Sequence, residues 1–312
     1  MNMKNNKVFF NGKFVAEKDA VVSIKTHALH YGTGCFEGIR AYYNEAENCL
    51  FVFRIEEHYK RFLNSAKTLF IKIGYSEKEL VEITKDLLAK NFEKTDIYIR
   101  PLAYKADPAV GNFVLPKLAD GLSIYTVPLG RYGSTSGIKT QVSTWRRVSD
   151  MSIPPRAKIT GSYVNTALAK TEAVLNGYDE ALLLDMNGHI VEGSAENIFV
   201  LKDGVAITPP VHDDILVGIT RDTIIMLLQK ELNIEVIQRS IDRSEIYSAD
   251  EVFLVGTGAE VLPVLEVDKR QIGNMKIGKV TKKVSDIYFS LAHGTYGKYN
   301  EFLTKISAPK GI

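Results

Sequence analysis

Lys158 lies in PPRAKITGSYVNT (residues 154–166), among prolines, small residues and a tyrosine. That is poor company for a solvated charged face. Lysine is rarely buried, because its ammonium is costly to desolvate, and the same cost frees the amine as nucleophile and base. Other groups with chemical potential are scattered along the chain. VEGSAEN (191–197) sets two carboxylates, Glu192 and Glu196, among small residues where one strand ends and another begins. LVGITRD (216–222) places a glycine and Thr220 at a helix start, where backbone N–H groups and the helix dipole attract anions. GTG (256–258) follows a strand as a second nest of amides. Arg61 directly precedes the apolar Phe62, at the border of a helical face. Each has a plainer reading alone: Thr220 as an ordinary N-cap, the glutamates as solvated, Arg61 as a surface cation.

The common catalytic signatures fit less well. HALH has His27 and His30 at i,i+3 with no third ligand in view, so no metal centre is expected. GNMKIGK (273–279) resembles a phosphate loop, but Val280 stands where a Ser or Thr belongs, and it reads as a glycine turn entering the last helix. There is no G-x-S-x-G elbow and no G-x-G-x-x-G. Cys35 and Cys49 form no C-x-x-C pair, and Cys35 reads as a packed small residue. The scattered set suits pyridoxal phosphate. That cofactor needs a lysine as covalent anchor, a phosphate cradle, an acid at the pyridine nitrogen and a donor near the ring hydroxyl. Tyr163, five residues past Lys158, can return over the active-site face.

The elements that must hold these groups read as a mixture. VFFNGKFV is a hairpin bent at Asn11-Gly12. IEEHYKRFLNSAKTLF (55–70) spaces Tyr59, Phe62, Leu63, Ala66, Leu69 and Phe70 helically. Ser76 and Glu79 form a capping box for a helix over about 77–91. DIYIRPLAY and SIYTVPL read as strands, and GRYGSTSGI (130–138) as a linker. Beyond it come a strand near 139–145, a helix over about 162–176 ending at Gly177, a meander turning at Asn187-Gly188 and Asp203-Gly204, and helices over 219–232 and about 276–292. These hairpins argue against a doubly wound parallel sheet. The length of 312 residues fits two domains, 1–129 and 139–312. A net charge of +2 from 39 basic and 37 acidic residues gives no pull toward nucleic acid or membrane. No signal segment or apolar span is legible, and a reducing cytoplasm is the expected location.

The stretches THALHYGTGCFEGIRAY, FRIEEHYKRF, YIRPLAY, AKITGSY, GYDEALLLDMNGHIVEGSAEN, TPP, LVGITRD and ADEVFLVGTGAEVLPV resemble, over about residues 7–292, the fold-type IV pyridoxal phosphate enzymes. Within them the chain is similar to the branched-chain amino acid aminotransferases. The resemblance implies a mixed α+β fold, with a small N-terminal α/β domain and a larger C-terminal domain built on a mixed, partly barrel-like sheet. It implies Lys158 as the covalent anchor. Arg61, the amides of Ile219 and Thr220, and Thr257 would hold the phosphate. Glu192 would face the pyridine nitrogen and Tyr163 the ring hydroxyl. Tyr98 with the amides of Thr257 and Gly258 would take the substrate α-carboxylate. Arg100, Tyr132 and Tyr31 of a neighbouring subunit would take the side-chain carboxylate of glutamate, and Phe36 would line an apolar wall. At least a homodimer follows from that sharing. EGSAEN, GTG and AKITGSY depart from the family's more usual versions, and KADPAVGNF matches no family pattern. The implied reaction moves amino groups between branched-chain amino acids and 2-oxoglutarate. D-amino acid and amine transaminases and aminodeoxychorismate lyases share the fold and are the alternatives.

Overall fold

The computed structural model describes residues 6–130 and 136–309, so Tyr132 and most of the expected linker lie outside the described residues. The chain forms two compact units. The first takes the described residues up to Gly130, the short segment Ala157–Gly161 and the residues from Leu291 on; the second takes the rest.

The first unit is built on an eight-stranded antiparallel sheet. Its order is Leu303–Ser307, Cys49–Phe53, Ile39–Asn44, Ile97–Lys105, Asp120–Pro128, Lys7–Phe10 and Lys13–Ala16, with Gly34–Phe36 also paired to Ile97–Lys105. The Asn11-Gly12 turn joins the last two strands with both residues at positive φ, which matches the twist of a tight hairpin. Helices Ile55–Thr68 and Glu77–Lys90 cover the sheet, burying Tyr59, Phe62, Ala66, Leu80 and Leu87 against Ile39, Ala41, Ile97 and Ile99. The Ser76–Glu79 capping box forms as expected. Phe70 does not join this face: the helix stops at Thr68, Phe70 turns into the left-handed region at φ 53°, and its side chain is 60% exposed.

Strand Ile97–Lys105 carries Pro101 in its middle. The Pro101 carbonyl accepts from Glu37 N–H, but a proline has no N–H to return. The ladder breaks there. Ile39–Asn44 pairs with the strand below Pro101 and Gly34–Phe36 pairs with it above. Glu37 and Gly38 fall in the gap.

The second unit contains a closed ring of six strands: Ile138–Arg146, Glu180–Leu184, His189–Gly193, Asn197–Lys202, Glu251–Gly256 and Glu260–Val267. Ile138–Arg146 runs parallel to both of its neighbours and the remaining pairs are antiparallel. The pairing of Glu192 with Asn197 closes the ring. Alternate residues of Glu180–Leu184 face different cores. Leu182 and Leu184 join Ile190, Ile198 and Val264, whereas Ala181 and Leu183 meet Ala169 and Ala173 of helix Tyr163–Leu175. That helix ends before Gly177, which takes φ 80° as a C′ glycine does. Among the described residues no helix is long and apolar enough to cross a membrane. The fold is the mixed one expected, with a partly parallel barrel.

Candidate active site

The short segment around Lys158 is pinned along its backbone within the first unit. Lys158 N–H donates to Ser65 Oγ at 3.1 Å, and its carbonyl accepts from Phe36 N–H at 3.0 Å. Ile159 bridges to Cys35, and Gly161 N–H donates to the Gly32 carbonyl. Gly32 has φ 64°, and a Cβ added there would lie 2.6 Å from Gly161 Cα, so the two backbones meet with no room for a side chain. The Lys158 side chain is half-buried, and its Nζ lies 5.1 Å from the centre of the Phe36 ring.

Ser65 joins this segment to Arg61. Its hydroxyl donates to the Arg61 carbonyl one helical turn back while accepting from Lys158 N–H. The Arg61 guanidinium is held edge-on by Glu37: Nε donates to Oε1 at 2.7 Å and Nη2 to Oε2 at 2.9 Å. His58 Nδ1 meets the same Oε2 at 2.8 Å. Glu37 is completely buried. Burial pushes its carboxyl up, but the Arg61 charge and the hydrogen bonds from His58 and Arg61 outweigh that and hold it well below the usual carboxylate range. Burial lowers the His58 imidazole, with Glu37 opposing and Arg61 and Lys158 adding to the fall.

Tyr98 and Arg100 sit two apart on strand Ile97–Lys105. Arg100 Nη2 donates to the Tyr98 hydroxyl at 2.9 Å, and its Cζ lies 4.5 Å from the centre of the Phe36 ring. Phe36 is thus flanked by the cations of both Arg100 and Lys158. Gly38 makes room for Tyr98, whose hydroxyl would stand 2.0 Å from a Cβ there. The Tyr31 hydroxyl accepts from Gly111 N–H, and its ring packs edge-on to Phe113.

In the second unit Glu192 is buried at the ring closure. Its Oε1 accepts from Asn197 Nδ2 at 3.0 Å and from Leu216 N–H at 2.7 Å. Its Oε2 lies 3.1 Å from Arg147 Nε, close enough for an ion pair though not aligned as a hydrogen bond. Asn197 also donates to the Leu216 carbonyl, and its Oδ1 would stand 2.0 Å from a Cβ on Gly218. Gly218, not Thr220, caps helix Ile219–Lys230. Ile219 and Thr220 lie inside its first turn, Thr220 is buried, and no side chain hydrogen-bonds at the cap. Thr220 is therefore no N-cap, and the helix starts at Gly218 without a side-chain cap. Thr257 and Gly258 turn the chain between Glu251–Gly256 and Glu260–Val267. Tyr163 opens helix Tyr163–Leu175 and is partly buried. At Glu196, burial and then Glu180 push the carboxyl up to about 7.

The rejected motifs find ordinary partners. His27 bonds to Thr33 Oγ1 and the Asn112 carbonyl, and His30 to the Ile24 carbonyl. In GNMKIGKV, the Glu251 carboxylate already accepts from Val280 and Thr281 N–H, so the helix start Lys279–Ala292 faces an anion of its own. Cys35 is buried, and burial followed by Glu37 pushes its thiol up to about 12, far from a reactive thiolate.

Residues 34–267 match the family described as amino-transferase class IV. A probable branched-chain-amino-acid aminotransferase of Aquifex aeolicus is 52% identical over 302 residues, 96% of each chain. The chain belongs to the class IV aminotransferase family. Among solved structures, the branched-chain aminotransferase of Thermoproteus uzoniensis with norvaline superposes with a TM-score of 0.92 at 40% identity, covering 96% of this chain and 99% of that one. The branched-chain amino acid aminotransferase of Thermobaculum terrenum in its PLP-form gives 0.92 at 34% identity, covering 98% and 99%.

For a class IV aminotransferase read from sequence, five residues of this geometry went unnoticed as parts of a site: Glu37, His58, Ser65, Arg147 and Asn197. A signal existed for Glu37, an acid inside the otherwise apolar run GCFEGI, and for Asn197, the last residue of VEGSAEN. Nothing local marks His58, Ser65 or Arg147, whose partners lie 21, 93 and 45 residues away.

Proposed function

We propose that this chain transfers amino groups between branched-chain L-amino acids and 2-oxoglutarate, using pyridoxal phosphate. The observation that carries the reading is the Ser65 link, which ties the backbone of Lys158 to the helical turn that carries Arg61. The donor set fits the cofactor: an amine to anchor it, a forked arginine and an uncapped helix start for a phosphate, and a buried carboxylate for a protonated ring nitrogen.

Arg61, Ile219, Thr220 and Thr257 would hold the phosphate, Glu192 the ring nitrogen and Tyr163 the ring hydroxyl. When bound, pyridoxal phosphate supplies an aldehyde that captures amines and a ring that accepts electrons from the substrate α-carbon. Lys158 Nζ takes the proton from that carbon and delivers it back on the other side of the transfer. Glu192 keeps its negative charge directed at the ring nitrogen because Asn197 and Leu216 N–H fix Oε1 while Arg147 stands beside Oε2.

Substrate choice rests on Phe36, Tyr98 and Arg100, with Tyr132 and the amides of Thr257 and Gly258. Phe36 gives leucine, isoleucine and valine an apolar wall. Arg100 meets the second carboxylate of glutamate. When the side chain is apolar, Tyr98 and the Phe36 ring face keep that guanidinium partnered. Tyr31 serves a neighbouring subunit, in an assembly of at least two copies. Two free, buried cysteines accord with a reducing cytoplasm. An amino-donor panel with 2-oxoglutarate as acceptor tests the reading, with leucine, isoleucine, valine, D-alanine and a primary amine. Turnover is expected with the first three. Preference for D-alanine or the amine, or pyruvate release without any acceptor, would overturn it.

A further inference from the structure

We propose that Glu37 is a positioning residue for the cofactor phosphate, a preformed clamp that fixes the Nε–Nη2 edge of Arg61 and so turns its opposite edge toward the anion. The proposal rests on the reading of Arg61 as the residue that holds the phosphate. A guanidinium on a flexible stem has many orientations, and a planar fork earns its specificity only when one of them is selected. Glu37 selects it by two parallel hydrogen bonds of 2.7 and 2.9 Å. Glu37 is itself immobilised. His58 Nδ1 meets Oε2 at 2.8 Å, and since a carboxylate oxygen only accepts, that nitrogen carries the proton. Gly38 N–H adds a fourth contact at 3.3 Å. The backbone of Glu37 lies in the ladder gap opposite Pro101, where Glu37 N–H bonds the Pro101 carbonyl. A buried ion pair gives weak stabilisation relative to apolar packing. What this one provides is direction. The carboxylate holds the Nε–Nη2 edge of Arg61, so the plane of the guanidinium has one orientation.

The clamp separates two affinities. Pyridoxal phosphate and pyridoxal differ only in the phosphate, so their affinity ratio reports the Arg61 contact. Cofactor-free protein is titrated with each, following protein fluorescence. Glu37→Gln is expected to weaken pyridoxal phosphate about tenfold or more while leaving pyridoxal within about twofold, the size expected when a hydrogen bond to a charged group is misaligned. Arg61→Ala should lose the same preference, and Glu37→Gln added to Arg61→Ala should change it no further. Equal losses for both ligands would make Glu37 a general structural residue and overturn the clamp. Tighter pyridoxal phosphate binding by Glu37→Gln would show that the carboxylate opposes the phosphate, and would overturn it too. An unchanged preference in Arg61→Ala would instead remove the phosphate assignment, and the clamp with it. Should Glu37→Gln fail to fold, the unmutated protein decides. The Arg61 Nε–H resonance in arginine-selective nitrogen NMR is expected to be shielded from exchange both with and without cofactor. Shielding that arises only on cofactor binding would overturn a preformed clamp.

Discussion

Two buried carboxylates, each beside an arginine, divide the labour differently in the two units. In the first, both oxygens of Glu37 are taken up by Arg61 and His58, so the acid orients the base. In the second, Glu192 receives two hydrogen bonds at Oε1 while Arg147 stands beside Oε2, so the base attends the acid. On the proposed function, the same pair of side chains would offer a cation to the phosphate in one place and an anion to the ring nitrogen in the other. The ion pair alone does not distinguish the two places; the other partners of each carboxylate do.

The sharpest reference point for that contrast is Lys158. Lys158→Arg keeps a positive charge but removes the amine, and turnover should fall by about 10⁴-fold, measured in single-turnover assays with leucine. Both ion pairs would survive in such a protein, so activity near the wild-type level would show that Lys158 is not the amine the reaction uses. The next effect belongs to the second unit. Glu192→Gln should lower kcat by roughly 10²–10³-fold while leaving the preference for pyridoxal phosphate over pyridoxal intact. The reverse pattern, lost preference with normal kcat, would mean the two carboxylates had been assigned the wrong way round. Arg100→Ala tests the substrate side of the first unit. It should reduce kcat/KM for 2-oxoglutarate by about 10–100-fold and for leucine by only a few-fold. Equal losses would place the anion trap elsewhere.

The smallest effect is on stability. Glu37 is depressed in the folded state, so its contribution is present above its ordinary value of 4.5 and is lost as pH falls through its folded value. The gap in Tm between wild type and Glu37→Gln should therefore be widest near neutral pH and narrow below about pH 4.5. A gap that widens on acidification would contradict an ionised, clamped carboxylate.

Much of this was legible in the chain. The Asn11-Gly12 hairpin, the Ser76–Glu79 capping box, the C′ glycine at 177 and the meander all depend on contacts a few residues apart, and local chemistry decides those. Lys158 stood out because its neighbours are wrong for a solvated cation. Other features were hidden because distant strands create them. Glu37 enters the site only through Arg61 and His58, 24 and 21 residues away. Thr220 looked like a cap because Ser and Thr so often are. Yet Asn197 excludes any side chain at position 218, and the glycine there takes the cap instead. Phe70 fitted the helical spacing, but the helix ended two residues earlier.

The contact of Gly32 with Gly161 has a consequence for anyone wishing to retrain this protein on new substrates. Side-chain libraries at Phe36 or Arg100 reshape what the site admits. A single methyl at 32 would act as a wedge under the strip of chain that carries the amine, prising it off its neighbours before any selection for new chemistry began. Position 32 belongs on the list to leave untouched.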